Sequence, residues 1–280
     1  MSDASLTWDT WRRILRSDAL VEAVLTTGAD HPAAVSLSAA ERAILTSYAR
    51  TPAATEFTIG AYRRGLVRNA LNALRLVPLT RRLLYSNELD VRAVAADFTQ
   101  SAGYRDDGPN FWRIAAGWVT YLATIPAFSH PMRQDVLALE TAAIALVRRL
   151  GVAGPVRWPE TIACNPTAAR LTDRYVANRA AAVATSSYDL TPWLEDPLEF
   201  NTDAELARSL RHWLIYVPTA EAAPRYAELS DRAARTLELL SDPRTAVDLS
   251  LALDPLPVAE VLEVIGSLTG VGAVVRAEAA

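Results

Sequence analysis

Between positions 20 and 150 the apolar residues recur three and four apart, with no long alternating β-branched run, which is the period of amphipathic helices. This spacing predicts helices over residues 19–26, 38–50, 55–76, 80–85, 90–100, 111–125 and 132–150. Local punctuation agrees. Ser38 followed by Glu41 has the spacing of a capping box, Pro78 ends the long third helix, and residues 103–109, with Asp106 and Asp107, form a turn. Residues 151–166, with Gly154, Pro155 and Pro159, break the helical period and mark the expected domain boundary.

Beyond that break the texture changes. Residues 181–190 read as a strand, and 210–217 (LRHWLIYV) is rich in the aromatic and β-branched residues of strands. A turn at 218–223 leads to a third strand at 224–229, then to helices at 230–240, 245–253 and 257–268. Ser230 is a suitable N-cap, Pro257 fits a first helical turn, and Gly270 fits a C-cap. Residues 271–275 form a last short strand or pack on the core. No internal repeat or low-complexity segment interrupts the chain. The expected fold is α+β, mainly α: a helical bundle at 1–155, then a small winged-helix-like domain at 156–280 with about three strands and three helices.

Composition narrows the chemistry. Of 280 residues 51% are hydrophobic, enough for a sizeable core, and the 28 basic residues are all arginine. With no lysine there is no Schiff-base amine and no phosphate-loop lysine. A net charge of -4 disfavours a broad nucleic-acid surface. The single cysteine, Cys164 in the segment ACNP, permits no internal disulfide, and together with the absence of a secretory signal or an apolar span it points to the cytoplasm.

The residues usually found at catalytic centres are scattered. His31 and His130 each precede a proline, and His212 lies in the predicted strand beside Trp213, so no metal-ligand spacing arises and no metal or cofactor is expected in this chain. There is no G-x-S-x-G turn, no G-x-G-x-x-G after a strand, and no histidine near Cys164. Arginine pairs at 12–13, 63–64, 81–82 and 148–149 have two readings. One is a solvated helix face; the other is recognition of an acidic partner, with Trp112, Trp118 and Tyr121 on one helix supplying either core or interface.

The order of strands and helices after residue 205 itself suggests a use. A small sheet backed by three helices leaves an edge to which an extended peptide can add. The same order describes a winged-helix DNA-binding regulator, but VAEVLEVIGSL in the third helix has no arginine and carries Glu260 and Glu263, which phosphates repel. A free-standing enzyme with a site assembled across the domains is the remaining alternative.

The stretch AELSDRAARTLELLSDPRTAVDLSLALDPLPVAEVLEVIGSLTGVGAVV resembles the helical part of the RiPP recognition element, the PqqD-like domain that binds leader peptides of ribosomally made natural products. Upstream, AYRRGLVRNALNALRLVPLTRRLL, FWRIAAGWVTYLATIP and RQDVLALETAAIAL are similar to the helical domain of the partner proteins of multinuclear non-haem iron oxygenases, the methanobactin-type partner family. Tyr62, Arg63 and Pro78 stand in that family's tyrosine-arginine helix and its proline stop. Ala138, Leu139 and Glu140 match its alanine-leucine-glutamate element, and SSYDL at 186–190 resembles the start of its second domain.

This resemblance implies a non-catalytic accessory subunit whose helical half docks on an iron-dependent oxygenase as a heterodimer. The iron would belong to the partner. The C-terminal half would bind the precursor peptide's leader along Arg225, Tyr226 and Leu229 of the third strand and Val261 and Ile265 of the last helix, with Arg232 and Arg235 pairing to leader carboxylates.

Overall fold

The computed structural model describes residues 3–87, 89–101, 104, 111–152, 169–195, 200, 206–219, 222–253 and 256–277. The Gly154 to Cys164 stretch and the Asp106–Asp107 turn lie outside them. Twelve α-helices and six strands are formed among the described residues. In chain order they are α1 (Asp3–Leu15), α2 (Asp18–Leu25), α3 (Ala39–Ala49), α4 (Pro52–Ala73), α5 (Pro78–Tyr85), α6 (Val91–Gln100), α7 (Phe111–Leu122), α8 (Pro131–Val152), β1 (Arg174–Ala177), β2 (Ala181–Tyr188), α9 (Thr191–Glu195), β3 (Arg208–Tyr216), β4 (Arg225–Leu229), α10 (Asp231–Leu239), β5 (Arg244–Thr245), α11 (Ala246–Ala252), α12 (Val258–Gly270) and β6 (Val274–Arg276). Among the described residues the chain is mainly helical with two small antiparallel sheets, so the α+β, mainly α class is as the sequence pattern predicts. No helix among the described residues is long and apolar enough to cross a membrane.

The elements fall into two compact units, Met1–Arg75 with Leu89–Tyr121, and Leu76–Glu88 with Leu122–Ala280. In the first unit Trp11, Ile14 and Leu15 of α1 pack with Leu20 and Val24 of α2 and Leu45 of α3. Ser38 caps α3 in the capping box its spacing predicts, and Arg13 crosses to Glu41 at 3.1 Å. Trp118, fully buried, stacks on Phe98 at 4.3 Å between ring centroids and donates its indole N–H to Ala70 O at 2.8 Å, so the aromatic helix α7 uses that ring as core.

The second unit holds α5, α8 and everything after it. Its main sheet has the order β2-β3-β4, paired Ala181↔Tyr216 through Tyr188↔Arg208 and His212↔Leu229 through Tyr216↔Arg225, with a bulge between Ser186 and Tyr188. The continuous burial of Trp213, Leu214 and Ile215 follows from a central strand covered on both faces. Leu214 and Leu229 turn into a core with Leu237 of α10, Leu249 of α11 and Val261, Ile265 and Leu268 of α12. Ile215 and Trp213, one residue out of phase, take the opposite face.

The second sheet, β5-β1-β6, was not foreseen in the sequence pattern. It joins the four residues of β1 to partners about 70 and 100 residues later, pairing Arg174 with Thr245 and Val176 with Val275. The expected count of about three strands is therefore corrected to six among the described residues. Segments of two to four residues carry too little alternation to register alone. Helices α1 and α9 were likewise unassigned.

Candidate functional site

Strand β4 is an edge of its sheet, and the backbone groups it presents can be assigned. Val217 N–H donates to Ala180 O at 3.0 Å, one residue beyond the Ala181↔Tyr216 pair, so the odd-numbered residues of β3 bond β2 and the even-numbered ones bond β4. By the same alternation Arg225, Ala227 and Leu229 use their N–H and C=O on β3. Tyr226 and Glu228 turn theirs outward, where no partner meets them among the described residues.

The opposite edge, β2, is treated differently. Asp135 of α8 accepts the N–H of Ser187 at 2.6 Å and of Tyr188 at 3.2 Å, at the bulge. At the other end Arg149 Nη2 donates to Arg179 O and Ala181 O, both at 2.9 Å. Asp135 and Arg149 are separated by about 21 Å of helix, and Ser187 and Ala181 by about 20 Å of strand, so α8 runs along β2 in matching length. A strand added to β2 must displace both clamps; a strand added to β4 displaces neither. Burial raises the Asp135 carboxyl, opposed by the two backbone N–H groups it accepts.

The bulge is built by the SSYDL segment. Ser186 donates to Tyr188 O at 2.6 Å and accepts the Trp213 indole N–H at 2.8 Å, both buried. Asp189 binds Arg211 at 2.9 Å, and Arg211 reaches on to Glu228 at 2.8 Å on β4. One guanidinium thus links the clamped edge to the open one.

Behind β4, Tyr226 points to the face bearing α8 and lies within electrostatic reach of Glu140; burial, then the charge of Glu140, push its phenol well above the usual range. Glu140 is 1% exposed, and its two oxygens accept the N–H groups of Leu79 at 2.8 Å and Thr80 at 2.7 Å, capping the first turn of α5 from a neighbouring helix. Burial pushes its carboxyl up to about 7, against those hydrogen bonds and Arg82.

The residues assigned to leader binding are thus dispersed. Arg225 is exposed on the open strand, Arg235 is exposed on α10 without an acidic partner among the described residues, and Arg232 is held at 2.7 Å by Glu260 of α12. Tyr226 and Leu229 do not share a groove, because three residues along a strand lie on opposite faces. Val261 and Ile265 are 1% and 0% exposed in the core, which corrects their placement on a groove wall: the outer side of α12 is Ala259, Glu263 and Ser267. A cleft of about 630 Å³ opens instead where β4 ends and α10 begins, beside exposed Leu210 and the pair His212–Asp231 at 3.5 Å.

The other histidines have local duties. His31 Nδ1 accepts Ala33 N–H at 3.2 Å and His130 Nδ1 accepts Met132 N–H at 3.3 Å, each closing a helical turn. Among the described residues no three His, Cys, Asp or Glu side chains are grouped to hold a metal ion. Asp135, Glu140 and Arg149 were missed as site-shaping groups, although a lone carboxylate inside the apolar run VLALETAAIAL is a usable signal of a buried anchor. No family model matches the chain, and no curated protein matches it.

Proposed function

We propose that this chain is a non-catalytic accessory subunit in the biosynthesis of a ribosomally made, modified peptide, binding the precursor's leader and presenting it to a multinuclear non-haem iron oxygenase. The observation that carries the proposal is the asymmetry of the main sheet, with β2 clamped by Asp135 and Arg149 while Tyr226 and Glu228 of β4 offer outward N–H and C=O groups. An extended leader adds there as a fourth strand by main-chain bonds, and its side chains set specificity against the flanking surfaces. Arg225 and Arg235, the latter without an acidic partner among the described residues, favour a leader with carboxylates near this edge. The sequence resemblance supplies the class of peptide and the oxygenase, whose docking surface is assigned to the helical elements.

The test is co-purification with an iron oxygenase encoded beside this chain's gene, followed by titration with the neighbouring precursor peptide. Binding of both supports the proposal, and binding of neither overturns it. The DNA-regulator alternative is separated by a mobility-shift assay. The outer side of α12, with Glu263 and no arginine, supports a flat response.

A further inference from the structure

A second concavity lies at the N-terminal end of β2, away from the open edge of β4. It encloses about 380 Å³, within the range of small-ligand sites. Ala177, Ala181, Ala182 and Val183 line it, the side chains of Ala181 and Val183 facing the side of Leu237 of α10. Arg149 and Arg179 line it, and Glu238 and Ser241 stand at the α10 side.

Three features define what it can hold. Arg149 uses Nη2 on the Arg179 and Ala181 carbonyls, which fixes the guanidinium plane, and it has no carboxylate partner among the described residues. Its Nε and Nη1 donors remain, on opposite sides of the guanidinium; with Nη2 engaged, each can give a carboxylate one charge-assisted hydrogen bond. Val183, by the alternation that turns Ala181 outward, directs its N–H to the same edge, where it too has no partner among the described residues. The side chains of Ala177, Val183 and Leu237 are apolar, so the remainder of the ligand is apolar. Glu238 opposes a second negative charge, which selects a monocarboxylate over a dicarboxylate.

We infer that this pocket binds an apolar monocarboxylate, its carboxylate on Arg149 and the Val183 N–H and its hydrocarbon over the side chains of Ala177, Val183 and Leu237. Two sources carry this chemistry, a free organic acid and the C-terminus of a peptide ending in an apolar residue. The inference does not depend on leader binding at β4.

The probes are hexanoate, its neutral isostere hexanamide, glutarate, and an N-acetylated tripeptide ending in leucine as free acid or C-terminal amide. Each is titrated into the full chain while backbone amide resonances are followed by NMR. Saturable shifts centred on Val183 and Leu237 are expected with hexanoate or the free-acid tripeptide. Hexanamide, glutarate and the tripeptide amide should bind at least about tenfold more weakly, the scale of a lost charge-assisted hydrogen bond. The tighter of hexanoate and the free-acid tripeptide identifies the source. Because Arg149 also holds β2, Arg179→Gln and Ser241→Leu serve as variants. The first should weaken hexanoate several-fold and the second should block it, with both folded by circular dichroism. Equal binding of hexanoate and hexanamide, shifts centred elsewhere, or no shift with either acid overturns the inference.

Discussion

Glu140 Oε2 accepts the backbone N–H of Thr80 at 2.7 Å, so a carboxylate in the middle of α8 does the work of an N-cap for α5. Helix α5 starts at Pro78 with Val77 before it, and neither side chain can accept the N–H groups of the first turn. The cap has to come from elsewhere, and burying it is costly. Glu140 has its carboxyl raised from 4.5 to about 7 because burial outweighs the hydrogen bonds that favour its charge.

A pH dependence follows. Between about 4.5 and 7 the folded chain keeps a proton on Glu140 that the unfolded chain has released. Stability from this group is therefore complete below 4.5, falls as pH rises, and levels off above 7, by about 3 kcal/mol in all. Glu41, Asp189 and Asp248, whose carboxyls are lowered by their hydrogen bonds, act with the opposite sign and in more acid solution. Urea unfolding of the wild type and Glu140→Gln across pH 5–8 isolates the effect. The difference between the two curves should slope across this window; parallel curves would remove the assignment.

Ile265 separates core from groove. Ile265→Ala should cost about 2–5 kcal/mol of unfolding free energy, the range for emptying a packed site, and should change peptide affinity little while the chain stays folded. A variant of unchanged stability with much weaker peptide binding would return Ile265 to the groove.

How much was legible in the sequence can be seen from such residues. The period of 258–268 gave α12 and its apolar stripe, but spacing identifies a face and not what covers it. Here the cover is α10, α11 and the sheet, so Val261 and Ile265 are enclosed. LRHWLIYV announced β3 by composition, whereas β5, two residues long, has no pattern and exists because β1 pairs with it. The open edge could be anticipated from the order of elements. The clamps could not, since Asp135 and Arg149 lie about 50 and 30 residues before their partners and look like ordinary helix-surface charges.

Those clamps give a third expectation. Asp135→Ala leaves two N–H groups at the bulge without their acceptor and should lower stability by about 1–3 kcal/mol. It also uncovers β2, so the variant should associate at high concentration more readily than the wild type. Unfolding curves and light scattering check both. A neutral, monomeric Asp135→Ala would mean that α8 does not guard that edge.

The central claim is that a leader peptide adds to β4. Residue-resolved hydrogen exchange of the full chain, with and without the neighbouring precursor peptide, reads it directly. The amides of Tyr226 and Glu228 should become protected on binding, while those of Ser187 and Tyr188, already held by Asp135, should not change. Glu228→Pro, which removes an outward N–H without breaking a bond to β3, should abolish that protection where Glu228→Ala retains it. Saturating peptide that leaves the Tyr226 and Glu228 amides exchanging as before would contradict the account.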